Sequence, residues 1–271
     1  MYRHVIKRIL DFIAALLLLI ILLIPIIIIA ILVRIKLGAP VIFKQRRPGK
    51  NNKLFSVYKF RSMTNEVDEN GELLPDKMRL TKFGNFLRKS SFDELPQLFN
   101  ILVGHMSFIG PRPKEIKDVL FMKHSEPLVR QAVRPGLSGL AQVNGRNGIG
   151  WDKVLEYDLY YVRNLSFWLD VKIFFKTFGV VFSRKGIDVS ENVTHYLYPE
   201  YLLMNGKISP EEFSEKMQLA NDIEKNLNKK YLFGRKTKFT REELGKKPKK
   251  EKQKKAKKQQ DKKTKTKTKQ K

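Results

Sequence analysis

The feature that most constrains this chain is an uncharged run of 22 residues, 12–33, made mostly of Ile and Leu. As a straight helix it would reach about 33 Å, the depth of a bilayer core. It is too long for the apolar part of a signal peptide, and no small-residue cleavage site follows it. Pro25 lies just past its middle, where a missing N–H and a bulky ring interrupt the helical ladder. Both flanks are basic, with Arg3, Lys7 and Arg8 before the run and Arg34, Lys36, Lys44, Arg46 and Arg47 after it. Lys and Arg collect on the cytoplasmic side of membrane segments. A helix that enters the membrane, bends at Pro25 and leaves by the same face satisfies both flanks. An ordinary spanning helix with a tolerated proline is the plainer alternative.

The formal net charge of +27 is unevenly spread: residues 235–271 carry +15 of it. The remaining +12 still favours an anionic partner, such as lipid head groups, phosphates or nucleic acid. The terminal segment is dominated by Lys, Thr and Gln, a composition that predicts disorder. Its lysines would add membrane affinity of about 1 kcal/mol each where well placed; a solvated tail without function explains them as well. There are no cysteines, so disulfides, zinc–thiolate sites and thiol nucleophiles are excluded. Catalysis would have to use oxygen nucleophiles, His, Lys or a hard metal ion.

Residues 54–63 (LFSVYKFRSM) have strand character, which puts Phe55, Val57, Lys59 and Arg61 on one face. Two cations on one face suit a phosphate; a solvated strand face is the plainer account. Residues 65–76 are polar and turn-rich, and 80–88 read as a short helix with Arg88 near its end. Residues 90–100 (SSFDELPQLFN) follow. Ser91 with Glu94 three positions on forms a capping box, which by itself explains Asp93 and Glu94. The alternative is chemical. Adjacent carboxylates in so basic a chain can hold Mg²⁺ or attack phosphorus, and on a helix they point about 100° apart, so they would divide roles.

The prolines around Arg112 (GPRP, 110–113) stiffen the backbone and aim a guanidinium, as a phosphate clamp needs. Arg134 in RPG (134–136) repeats the theme. Residues 140–150 place Gln142, Asn144, Arg146 and Asn147 in a Gly-rich stretch, where such groups read a sugar or base edge, although polar loops are commonly only loops. Residues 166–182 read as a helix apolar over most of its circumference, either in the core or in a membrane interface with Lys172 and Lys176 toward head groups. Ser209, Pro210 and Glu212 open a last helix, with Phe213, Met217, Ala220, Leu227 and Tyr231 along one stripe. No Walker A loop, dinucleotide fingerprint, HExxH or nucleophile elbow occurs.

Six segments in order, VYKFRSM (57–63), LRKSSFDELPQ (87–97), MSFIGPRP (106–113), VRPG (133–136), AQVNGRN (141–147) and DLYYVRNLSFWLD (158–170), closely resemble the bacterial sugar transferases. These are monotopic polyprenyl-phosphate phosphoglycosyl transferases, and the resemblance covers about residues 1–185. Two positions depart from the usual pattern: Ile24 stands where a Ser commonly precedes the proline, and His105 where an Asp is common. The resemblance implies an α/β, mainly α, catalytic domain with an N-terminal re-entrant helix and amphipathic interface helices. The corresponding division is 1–36 membrane-inserted, 37–205 catalytic, 206–234 a helical extension and 235–271 the tail.

It also implies an activity. Asp93 matches the nucleophile, taken to attack the β-phosphorus of a UDP-sugar and expel UMP; polyprenyl phosphate then removes the sugar phosphate. Mg²⁺ is expected, held by Glu94 with help from Asp93. Lys59, Arg88 and Arg112 would neutralise phosphate charge, with Arg61 assisting. Arg134, Gln142 and Arg146 fall near the nucleotide or sugar, and Asp158 matches an acidic position grouped with substrate binding. The expected partners are the UDP-sugar, polyprenyl phosphate and anionic head groups, with no nucleic acid. The expected location is the cytoplasmic face of the bacterial inner membrane. A non-enzymatic basic protein and a transferase of bare sugars, which would release UDP, are the competing classes.

Overall fold

The computed structural model describes residues 1–122, 126–145, 148–183, 196–225, 232 and 239. Apart from Phe239, which packs against the core, the residues of 235–271 expected to be disordered lie outside the described residues, as do Arg146, Leu227 and Tyr231.

The chain begins with a π-helical turn, Tyr2–Ile6, that runs into α1 (Lys7–Ile21); α2 (Leu23–Leu37) follows after a bend of 65°. No single helix among the described residues is long and apolar enough to cross a membrane, but this bent pair passes that test together. The break is at Leu22, not at Pro25 as the sequence suggested. Pro25 has no N–H to offer the carbonyl of Ile21, and its ring crowds that carbonyl, so the ladder opens in the turn before the proline. Pro25 itself sits in the first turn of α2, where an N–H would lack a helical partner anyway.

One face of the pair is buried. Ala15, Leu18, Leu19 and Leu22 pack with Phe55, Val57, Leu98 and Ile101, while Ile29, Val33 and Leu37 pack with Phe60 and Leu87. The opposite face exposes Leu17, Ile20, Ile21, Leu23, Ile24, Ile28, Ile31 and Ile35. Polar contacts fix the inner face. Arg8 donates to the carbonyls of Ile101 and Leu102, Asp11 accepts from the Phe108 amide, and Asp170 receives Lys7 at 2.6 Å and Tyr161 at 2.7 Å.

The rest is mostly helical with two small sheets. Strands β1 (Ile42–Pro48) and β2 (Leu54–Phe60) form an antiparallel hairpin that pairs Phe43 with Lys59. Asn51 and Asn52 make its turn at φ 54° and 59°, a region Asn tolerates better than most residues. Then come α3 (Asp76–Arg79), α4 (Lys82–Lys89), a 3₁₀ turn (Phe92–Glu94), α5 (Gln97–Leu102) and β3 (Ser107–Ile109). Helix α6 (Ile116–Phe121) and a 3₁₀ segment (Glu126–Ala132) lead to β4 (Gly136–Ser138), which pairs parallel with β3. The glycines of two sequence motifs meet there. A Cβ on Gly136 would lie 2.1 Å from the Gly110 nitrogen, and one on Gly110 would lie 2.5 Å from the Arg134 oxygen. Only glycines let these backbones approach so closely.

Helices α7 (Leu140–Val143), α8 (Trp151–Asn164), α9 (Phe167–Ser183), α10 (Tyr198–Met204) and α11 (Pro210–Lys225) complete the fold. Helix α9 buries Ile173 but exposes Phe167, Trp168, Phe174, Phe175 and Phe178, so it is not enclosed in the core. Helix α11 starts as its sequence predicts, with Ser209 Oγ accepting from the Glu212 amide. Its Ala220 and Ile223 pack into one core with Phe121, Met122, Trp151, Tyr198 and Leu202.

Candidate active site

The site is built where α4, the 3₁₀ turn and β2 meet. Thr81 caps α4 by accepting from the Gly84 amide at 3.0 Å. A Cβ on Gly84 would lie 1.7 Å from the Ser62 oxygen, so glycine is what allows α4 to press against the chain just after β2. That approach brings Arg88 Nε to 2.9 Å from Ser62 Oγ. The chain then reverses at Ser91, which is left-handed at φ 59°, and enters the turn that carries Asp93 and Glu94. The expected capping box does not form. With Ser91 left-handed its side chain makes no cap, and Glu94 reaches away from the turn to bind cations.

Glu94 Oε1 receives Lys59 Nζ at 2.7 Å and Arg112 Nη2 at 2.7 Å. Asp93 lies deeper, 7% exposed, with its Oδ2 3.9 Å from the same Lys59 nitrogen. Their electrostatics diverge accordingly. Burial pushes the Asp93 carboxyl above the ordinary carboxylate value, and Lys59 only partly offsets it. Burial also opposes charge on Glu94, but Arg112 and Lys59 outweigh it and hold that carboxyl well below the usual range.

Arg112 is held by a support that sequence reasoning missed. Buried Arg130 donates Nε to Asp158 Oδ2 at 2.9 Å and Nη2 to the Arg112 carbonyl at 2.5 Å. The Arg130–Asp158 pair therefore pins the backbone of the proline-flanked arginine. Nothing local marks Arg130, because its partner is 28 positions away. Lys114 was missed too. It sits 3.8 Å from the centre of the Trp151 ring, and burial lowers its pKa to about 8.

A cavity of about 1150 Å³ joins these groups. Lys59, Arg61, Arg88, Asp93, Glu94, Arg112, Gln142 and Asp158 line it, together with apolar side chains from the helical bend (Leu18, Leu22) and from α9 (Phe174, Phe178). Arg61 is buried and donates to the Ala39 carbonyl, which ties it to the loop after α2. Gln142 donates to the Leu137 carbonyl at 3.3 Å, and its buried Oε1 has no hydrogen-bond partner among the described residues. Arg134 is elsewhere: it donates to the Gly104 carbonyl just past α5 and does not line the cavity.

For a metal, Asp93 and Glu94 are the carboxylates at hand. Among the described residues no cluster of three metal-ligating side chains occurs. Two carboxylates fit Mg²⁺ bound together with a phosphate ligand, because that ion retains waters and phosphate oxygens in its shell.

Residues 2–184 match the bacterial sugar transferase family. The chain is 47% identical over 190 residues to the uncharacterized sugar transferase EpsL of Bacillus subtilis, a match spanning 70% of this chain and 94% of that one. The chain belongs to the bacterial sugar transferase family. This sugar transferase is also 42% identical over 190 residues to a UDP-glucose:undecaprenyl-phosphate glucose-1-phosphate transferase of Klebsiella pneumoniae. It is 39% identical over 188 residues to a UDP-N-acetylgalactosamine-undecaprenyl-phosphate N-acetylgalactosaminephosphotransferase of Aeromonas hydrophila. These matches cover 64% and 67% of the transferase but only 39% and 44% of the two relatives. Lys59, Arg88, Asp93, Glu94 and Arg112 all fall within the matched region, whereas α10 and α11 lie beyond it.

Proposed function

We propose that this enzyme transfers a sugar 1-phosphate from a UDP-sugar to undecaprenyl phosphate, releasing UMP, through an acyl-phosphate (aspartyl-phosphosugar) intermediate on Asp93. The observation that carries the proposal is the unequal carboxylate pair. Asp93 is buried and loosely paired, so it is free to attack. Glu94 is locked between two cations that also face the cavity.

In the first half-reaction an Asp93 oxygen forms a bond to the β-phosphorus, and the bond to the bridging oxygen breaks, with its electrons leaving on UMP. In the second, an oxygen of undecaprenyl phosphate attacks the same phosphorus and the Asp93 carboxylate departs. Lys59, Arg88 and Arg112 offset charge on the phosphoryl oxygens, and Arg130 with Asp158 holds Arg112 in place. Gln142 offers its free carbonyl oxygen to a sugar hydroxyl. Glu94, with Asp93, is the group to hold Mg²⁺, which when bound supplies charge neutralisation at the diphosphate.

The bent helix pair fits a re-entrant insertion. Its outer face is apolar, both flanks are basic, and the exposed aromatics of α9 lie beside Lys172 and Lys176, as at a membrane interface. This arrangement holds the domain on the cytoplasmic face of the inner membrane, where the acceptor phosphate resides. The apolar cavity wall formed by Leu18, Leu22, Phe174 and Phe178 gives the lipid a route to Asp93.

The test is to incubate the purified enzyme with Mg²⁺, undecaprenyl phosphate and a panel of UDP-sugars. UMP should appear with one donor. Without acceptor, the intact mass of the protein should rise by one sugar phosphate, and Asp93→Asn should abolish both signals. Release of UDP would reassign the enzyme to bare-sugar transfer.

A further inference from the structure

A second cavity, of about 330 Å³, adjoins the first and shares with it Gln45, Arg47, Lys59, Arg112 and Lys114 among its walls. Asp93 and Glu94 line the larger cavity and not this one. Lys59 and Arg112, which hold Glu94, thus border both spaces, while the nucleophile lines only the larger one. The walls that the smaller cavity does not share include Gln97, Pro113, Trp151 and Tyr196. The indole N–H of Trp151 donates to the Tyr196 carbonyl at 2.9 Å, which fixes that backbone against α8. Tyr196 is 50% exposed. The acids at this cavity are engaged: Glu115 pairs with Arg47 at 3.0 Å, and Asp118 accepts the amides of Tyr198 and Glu115. Lys114, facing Trp151, has no ion-pair partner within 4.0 Å among the described residues.

Displacement at phosphorus requires the entering and leaving oxygens to lie roughly in line, on opposite faces of the phosphoryl group. With Asp93 bordering only the larger cavity, a phosphoryl group held by Lys59 and Arg112 and attacked from that cavity releases its nucleotide toward the smaller one. We propose that the smaller cavity receives the uridine monophosphate portion of the donor, with the α-phosphate against Arg112 and Lys114 and the base against the Tyr196 ring. The sugar then lies in the larger cavity, and in the second half-reaction the acceptor phosphate enters in line from the face that UMP has vacated, opposite the Asp93–phosphorus bond. This inference rests on the phosphosugar-transfer reading above. It also has a consequence for the chain: Tyr196 lies beyond residue 184, so a segment outside the family match completes the nucleotide site.

The experiment is UMP binding to the full-length enzyme in detergent, by calorimetry, without acceptor or donor sugar. Tyr196→Ala removes the ring but keeps the carbonyl that Trp151 uses. It should weaken UMP by roughly 5-fold or more, the low end of what loss of one base-stacking ring causes, and Tyr196→Phe should restore affinity. Lys114→Gln should weaken UMP while leaving uridine, which has no phosphate, nearly unaffected. The thermal midpoint should not move in either variant, and the KM for undecaprenyl phosphate should not move in Tyr196→Ala. Unchanged UMP affinity in both Tyr196→Ala and Lys114→Gln would overturn the assignment. Because UMP release by the unmodified enzyme is measured separately, that outcome would leave the transfer reaction standing.

Discussion

Asp93 and Glu94 are neighbours in sequence with opposite electrostatic lives. Asp93 has its carboxyl raised by burial, so the folded protein favours its protonated form. The stability this provides is present at low pH and lost as pH rises through the raised value. Catalysis needs the ionised form, so activity appears over the same window in which stability declines. Two predictions follow from that sign. The acid limb of kcat/KM should titrate above the ordinary Asp value of about 3.9, with no second limb from Glu94, whose cation partners keep it ionised. A pH–rate profile from pH 4 to 8 checks this. Asp93→Asn should lower kcat by on the order of 10³-fold or more, yet melt no lower than the parent at pH 7.5, because it removes a buried charge that the fold does not fully compensate. A markedly lower thermal midpoint would mean that Asp93 is a structural ion-pair partner.

At the level of elements, the hinge of the helix pair is the feature with the most leverage. An interior proline costs a helix about 3 kcal/mol, and here the break relieves it at Leu22. Pro25→Ala returns an N–H that can reach the Ile21 carbonyl and should straighten the pair toward a spanning helix. Arg8, which donates to the carbonyls at the end of α5, resists that change by tying α1 to the domain. The chain has no cysteine, so single engineered thiols report cleanly. In right-side-out membrane vesicles, an impermeant maleimide should label neither a cysteine placed before Met1 nor one at Lys77→Cys. The N-terminal thiol should become partly labelled with Pro25→Ala, and more so when Arg8→Ala is added. An N-terminal thiol already labelled beside Pro25 would remove the re-entrant reading. Sequence pattern was a good guide to elements held by local chemistry: the alternation of β2, the short helix that ends near Arg88, and Ser209-Pro210 before α11. It misled where a local rule met a tertiary demand. Ser91 and Glu94 have capping-box spacing, but Lys59 and Arg112 draw Glu94 off, and Pro25 displaced the bend by one turn. Arg130 and Lys114 carried no local signal, since their partners Asp158 and Trp151 lie far along the chain.

For the whole molecule, the question is how far the catalytic unit extends. The family match ends at residue 184, inside the region where α9 finishes, yet the core does not end there. Ile223 of α11 is 3% exposed among side chains from α6, α8 and α10, and the Leu232 amide donates to the Asn52 carbonyl at 2.9 Å beside the β1–β2 turn. The same α6 supplies Asp118, whose carboxylate accepts the Tyr198 amide and so sets the start of α10 next to Tyr196. Cutting Ile223 back to Ala leaves a void that should cost about 2–5 kcal/mol, a fall of very roughly 5–15 °C in the thermal midpoint. Removing residues 246–271 should leave that midpoint unchanged. If the helix merely decorated the domain, Ile223→Ala would resemble the tail deletion in calorimetry. If it is part of the core, the loss of stability should bring a raised KM for the UDP-sugar at temperatures just below unfolding, because α10 and the segment carrying Tyr196 rest on the same packing.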